Sequence, residues 1–343
     1  MGISVQNRTI IHVGAGKTGT SALQVFFAAN CERLANQGVI FPSQGRVETR
    51  GQILHHFLAD TDRHPCPDVF KKWSEIGKLT APITIVSSEF LHGKMGTPGG
   101  VSFFQNVREA LGNRDVKIVF YIRRHSQWLQ SAYSQWVKAN LLTKTFSEVM
   151  RTSNNDPLSQ IDLFADVFGA ENIIVRPFED EQFHGGTLLG DFCALAGLEW
   201  DPEFKVRKKN PNPRLSLDAL EFKRQANGFA QTRSDLKLLL QDLHAYSDKA
   251  GPNSTSLFHT HSILNPAEQI ALERKLEPRY QDIARKYMGR EDGVLFRQGL
   301  LDPAPDQSDQ ADPENVQEPP STDQVMVFLM TQIYRRLQDL DKT

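Results

Sequence analysis

An apolar run over 9–13 stops at Gly14-Ala15-Gly16-Lys17-Thr18-Gly19-Thr20-Ser21, and a helical pattern starts directly behind it. Glycines at 14, 16 and 19 continue neither a strand nor a helix cheaply, because glycine loses the most backbone freedom on ordering. They suit a tight strand-to-helix turn whose backbone takes left-handed angles or comes close to a ligand. Behind the turn Ala22, Leu23, Phe26, Phe27 and Leu34 fall near helical spacing, so a helix is expected from about Thr18 to just before Gly38. Strand, glycine turn and helix together form the first half of a parallel βαβ unit.

The remaining pattern extends that unit. Short apolar runs at 39–41 (closed by Pro42), 83–87, 117–122 and 173–175 read as further strands. Between the last two, Trp128, Leu129, Ala132, Tyr133, Trp136 and Val137 mark a strong amphipathic helix. The expected fold is α/β, a central parallel sheet in a three-layer arrangement with helices on both faces. After Phe178 the chain reads mostly helical, at 188–196, 217–226, 236–244 and 267–285, with no second run of strands. One domain over 8–298 is therefore expected. A linker over 299–323, rich in Pro, Asp and Gln, reads as disordered. A final helix over 324–343 carries Val325, Phe328, Leu329, Ile333, Leu337 and Leu340 on one stripe, suited to docking on the body or to a dimer or partner contact.

The net charge of −2 conceals an asymmetry, since seven acids and no Lys or Arg lie from Asp302 to Asp323. The rest is mildly basic, which suits a small polyanion and falls short of the dense patch that nucleic acid requires. Cys31, Cys66 and Cys193 are too scattered for a disulfide framework or a metal site. Neither a signal peptide nor a membrane-spanning run is legible, so a cytoplasmic enzyme is the expectation.

The glycine loop converges backbone N–H groups and a helix N-terminus on one point, which is how such a turn holds an anion. Lys17 adds a mobile positive charge, and Thr18, Thr20 and Ser21 add hydroxyls. The dinucleotide fingerprint fits Gly14, Gly16 and Gly19 but also wants an acid about 20 residues on. The second strand instead ends at Ile40-Phe41-Pro42, and the next acid is Glu48. Walker A fits Gly16-Lys17-Thr18, but its leading glycine falls on Ile11.

Read as G-x-x-K-x-G-T-x-x-L at Gly14, Lys17, Gly19, Thr20 and Leu23, the loop resembles the 5′-phosphosulfate loop of sulfotransferases. A second motif agrees: Arg123 ends the strand Val119-Phe120-Tyr121-Ile122, and Ser131 follows eight residues later in the next helix. That spacing resembles the family's 3′-phosphate motif, where an Arg clamps the phosphate and a Ser hydroxyl adds a hydrogen bond. Weaker similarity runs through Val175–Glu179, Asp191-Phe192, 210–220 and 285–296, and is of the bacterial carbohydrate type. Arg207-Lys208-Lys209-Asn210 departs from the family's Arg-Lys-Gly loop, and its part in donor binding stays open.

The resemblance implies transfer of a sulfuryl group from 3′-phosphoadenosine 5′-phosphosulfate to an acceptor hydroxyl, on a carbohydrate or glycolipid, without a metal. It implies donor contacts from Gly16, Lys17, Thr18, Gly19, Thr20, Ser21, Arg123 and Ser131, with Lys17 also neutralising the leaving oxygen. The acceptor must lose a proton to a base. Glu89, at the end of the strand 83–87, is the first candidate, although there it could merely complement a helix N-terminus. His55 and His56, on a helix expected from about Gly51, are the second, with His92 and His125 behind them. A P-loop kinase or NTPase, or a nucleotide-binding module without catalysis, are the competing classes.

Overall fold

A computed structural model describes residues 7–49, 52–152, 158–207, 214–232, 234–250, 263–264, 266–299 and 321–340. The linker expected over 299–323, apart from its ends, and Lys208 to Asn210 lie outside the described residues. The chain divides into two compact units. The first comprises Met1–Arg124, Asp156–Lys209 and Leu276–Gly299; the second takes the rest.

The first unit holds a five-stranded sheet. Its strands are β1 (Arg8–His12), β2 (Val39–Ile40), β5 (Ile83–Ser87), β6 (Asp115–Ile122) and β7 (Ile173–Pro177). They lie in the order β2-β5-β1-β6-β7, and every pairing is parallel. A small antiparallel pair, β3 (Val47–Thr49) with β4 (Gln52–Leu54), stands apart. Because side chains alternate across a strand, each strand feeds both faces. Ile11, Val86, Ile118 and Phe120 enter one core with Trp73, Phe104 and Phe164 of α3 (Val69–Gly77), α5 (Gly100–Ala110) and α8 (Gln160–Phe168). Ile10, Ile85, Val119 and Tyr121 enter the other with Leu23, Phe27 and Phe192 of α1 (Thr20–Ala29) and α9 (Leu188–Leu195). Helices thus cover both faces, as expected.

The second unit is helical. Its core gathers Trp128, Leu129 and Tyr133 of α6 (His125–Ala139), Leu220 of α10 (Leu217–Asn227) and Leu243 of α11 (Lys237–Ala250). Val325 and Leu329 of the last helix, α13 (Asp323–Leu340), join them, and Arg336 pairs with Asp242. The stripe read from the sequence splits here: its first turns are buried, whereas Ile333 and Leu337 stay more than half exposed. The preceding long helix, α12 (Pro266–Met288), runs through both units. None of the helices, among the described residues, is long and apolar enough to cross a membrane.

Two local expectations change. The first helix starts at Thr20, not Thr18, because Gly19 is left-handed (φ 80°) and serves as its N-cap. Among the described residues no α-helix begins near Gly51. β4 ends at Leu54, His55 lies in the turn after it, and His56–Ala59 forms a 3-10 turn.

Candidate active site

The loop after β1 is built from left-handed residues: Gly14 (φ 47°), Gly16 (66°), Lys17 (58°) and Gly19 (80°). Runs of this kind turn successive N–H groups toward one concavity. Lys17 is the non-glycine among them, in a conformation that costs an L-residue about 1–2 kcal/mol. A Cβ on Gly16 would meet nothing within 4 Å, so the loop is open there. Beneath the loop, the Thr18 and Thr20 hydroxyls are buried and have no hydrogen-bond partner. Leaving a hydroxyl so costs about 1–3 kcal/mol. Ser21 is exposed on the first turn of α1.

Lys17 is largely desolvated, which pushes its pKa down to about 8 against the opposing pull of Glu89. The Glu89 carboxylate is thus within electrostatic reach of the ammonium. It comes from β5: the strand ends at Ser87, Ser88 caps α4 (Glu89–Met95) by accepting from the Phe90 N–H, and Glu89 opens the helix. Glu89 has further contacts. Gln24 Nε2 donates to its Oε2 at 3.4 Å, and His56 Nε2 stands 3.9 Å from its Oε1.

The histidines part company here. His55 is fully buried: Nε2 meets the Pro42 carbonyl at 2.9 Å, and Nδ1 accepts from the Ser87 N–H at 3.2 Å. Both ring nitrogens are committed to backbone, and burial pushes the pKa down to about 4, so His55 ties the turn after β4 to the end of β5. His56 is bonded through Nδ1 to Ser88 Oγ at 2.8 Å and turns Nε2 to Glu89. Burial outweighs the pull of Glu89 and brings it to about 4 as well, so it is neutral at pH 7. His92, a turn along α4, lies edge-on to Phe120 in the opposite core. His125 stacks on Trp128 in the second unit.

Arg123 follows β6, and its guanidinium lies 5.8 Å above the Phe178 ring. Phe178 also closes on the glycine loop, since a Cβ on Gly19 would come within 3.1 Å of its ring. Arg123 and the loop therefore share one neighbour. Ser131 is half-buried on α6 of the second unit. The sequence reading missed Gln24, His12 and Ser87. His12 and Gln24 stand in the sequence only as single polar residues among apolar neighbours; their burial is what marks them.

No family model matches the chain. An uncharacterized protein of Archaeoglobus fulgidus is 34% identical over 118 residues, 34% of this chain and 32% of that protein. The chain thus spans about a third of the length of the curated relative it matches. A crystal structure of a sulfotransferase from Alicyclobacillus acidocaldarius aligns over 68% of this chain and 95% of its own. The TM-score is 0.38 and the identity 17%, too slight a likeness to bear on function.

Proposed function

We propose that this chain transfers a sulfuryl group from 3′-phosphoadenosine 5′-phosphosulfate to an acceptor hydroxyl. The observation that carries the reading is the pairing of an open, left-handed glycine loop over two unpartnered buried hydroxyls with a lysine within electrostatic reach of a carboxylate. The first part suits the donor's phosphosulfate; the second supplies an acid–base pair. The sequence motif that begins at Arg123 extends the reading to the 3′-phosphate.

In the proposed step, Glu89 takes the proton of the acceptor hydroxyl as its oxygen bonds to sulfur. The bond from sulfur to the bridging oxygen breaks, and that oxygen keeps the electron pair as part of the nucleotide's 5′-phosphate. Lys17 neutralises the charge developing there. Positioning and charge stabilisation supply most of the catalysis in transfers of this type. His55 is set aside as base because backbone atoms occupy both its nitrogens; His56 acts as a neutral neighbour of Glu89. The acceptor proposed is a saccharide or glycolipid hydroxyl. Beside Glu89 the rings of His56, His64 and Phe90 cluster with centroids 4.4–5.1 Å apart, a shelf suited to the C–H face of a sugar.

The test is a thermal shift with adenosine 3′,5′-bisphosphate, AMP and ATP, each with and without a chelator. The bisphosphate should stabilise the protein well above AMP, with no effect of chelator; at about 100 dissociation constants, linkage gives ~2.7 kcal/mol. Equal shifts from bisphosphate and AMP would remove the 3′-phosphate assignment. A magnesium-dependent preference for ATP would favour the NTPase class.

A further inference from the structure

Gln24 interrupts the apolar face of α1 between Leu23 and Phe27 and is fully buried. Burying an amide is costly unless it is bonded, so its contacts are informative. Nε2 donates to Ser87 Oγ at 3.3 Å and to Glu89 Oε2 at 3.4 Å. An ionised carboxylate only accepts, which settles the amide orientation: nitrogen, not oxygen, faces Glu89. Ser87 Oγ, accepting from Gln24, also meets His12 Nδ1 at 3.0 Å. His12 and Ser87 are register partners on adjacent strands, so the sheet itself sets this contact. Burial keeps His12 neutral, its pKa pushed down to about 4.

The other end of this chain of bonds lies under the donor loop. A Cβ on Gly14 would stand 2.7 Å from Thr20 Oγ1 and 3.5 Å from His12 Cε1. One buried line, His12–Ser87–Gln24–Glu89, thus runs from beneath the glycine loop to the carboxylate. Gln24 is closed off from bulk solvent, and the transfer step as written gives it no part.

We propose that Gln24 is a positioning residue: anchored by Ser87 and His12, its amide holds the Glu89 carboxylate in the orientation that accepts the acceptor's proton. The inference rests on Glu89 being the base, and the experiment separates the two. Three variants are compared with wild type: Glu89→Gln, Gln24→Met, which keeps volume but cannot donate, and Gln24→Glu, which sets a second carboxylate against Glu89. Turnover is followed as release of adenosine 3′,5′-bisphosphate from the donor, with water and with a panel of simple saccharides. Folding is checked by bisphosphate binding. Gln24→Met should lower kcat about tenfold or more at an unchanged donor KM, as expected for a general base out of place. In Gln24→Glu two carboxylates in contact cannot both ionise, so the acid limb of the pH–rate profile should move up by about one pH unit or more. A merely structural glutamine would lower stability and leave that limb where it was.

A crystal structure of Gln24→Met supplies a readout independent of turnover, and the Glu89 carboxylate should have rotated. If it has not moved and the Gln24→Glu profile overlays wild type while Glu89→Gln is inactive, the positioning role is wrong and Glu89 stands. If Glu89→Gln retains full turnover, Glu89 is not the base, and the role given to Gln24 falls with it.

Discussion

Lys17 makes donor binding depend on pH in a direction that can be worked out beforehand. In the empty protein its pKa is pushed down to about 8. About nine-tenths of the molecules then carry the ammonium at pH 7, and about one-tenth at pH 9. A phosphate-bearing ligand binds the charged form, so its apparent affinity should fall about tenfold over those two units, ~1.4 kcal/mol. Nothing else in the proposed contact set titrates there: phosphate monoesters are fully ionised above about pH 7, and Arg123 stays charged. Calorimetry in two buffers of different ionisation enthalpy should show about half a proton taken up per bisphosphate bound at pH 8. Lys17→Ala should bind more weakly and give a flat profile over the same range.

Stability moves the other way, which guards against a trivial explanation. A lysine whose folded pKa lies below its ordinary 10.5 leaves the unfolded chain holding more protons between about 8 and 10.5. The contribution of this group to stability therefore rises with pH through that window. Weaker binding at pH 9 thus cannot come from unfolding driven by Lys17. An affinity that stays constant from pH 7 to 9, or falls equally in Lys17→Ala, would refute the assignment of Lys17 to the anion site.

Two further outcomes are expected. Gly16→Ala meets open space and only left-handed strain, so it should cost about 1–2 kcal/mol of stability yet lose at least about tenfold in bisphosphate affinity; Gly19→Ala collides with Leu188 and should fail in folding first. Melting curves and titrations of the two proteins decide this, and tight binding by a folded Gly16→Ala would mean that the open space is not the ligand's. At saturating acceptor, Lys17→Ala should lower kcat by ~10²–10³, whereas Arg123→Ala should chiefly raise the donor KM, since its phosphate does not change charge in the reaction; the reverse pattern in steady-state kinetics would exchange the two roles.

What was legible in the sequence is what local pattern encodes. The strand cores at 83–87 and 117–122, the glycine turn and the helix after it all announce themselves through apolar periodicity and glycine. His55 and His56 show the limit. Adjacent in sequence and alike in chemistry, they read from the sequence as equivalent candidate bases on one helix. Their roles differ because Pro42 and Ser87, 13 and 32 residues from His55, supply backbone partners to one ring, while Ser88 and Glu89 face the other. Such partners depend on strand register and on a turn after β4, neither of which has a periodic signature. Gln24 was lost for the opposite reason: a single polar residue in a helical stripe is usually a tolerated edge position, and only its burial reveals it.

The register of the sheet joins these elements into one site. In the parallel pairing of β1 with β5, His12 stands opposite Ser87, so the two strands end at the same level. The donor loop leaves from one end and Glu89 from the other, so both start from one line of hydrogen-bonded backbone. Parallel strands buried on both faces hold register firmly, because a slip of one residue would exchange their two faces. In β5 such a slip would turn Val86 toward α1 and Ser87 toward the opposite core, breaking the bonds to His12 and Gln24 together. The points from which the two loops set out are therefore a property of the sheet rather than of either loop. Loops can be reshaped one residue at a time, but this pair moves only if the packing of Ile85 and Val86 in two separate cores is given up. On the proposed reading, a base set by strand register and a leaving-group lysine set by a left-handed turn would keep their separation through changes elsewhere on the surface, which is what an in-line transfer between two oxygens requires.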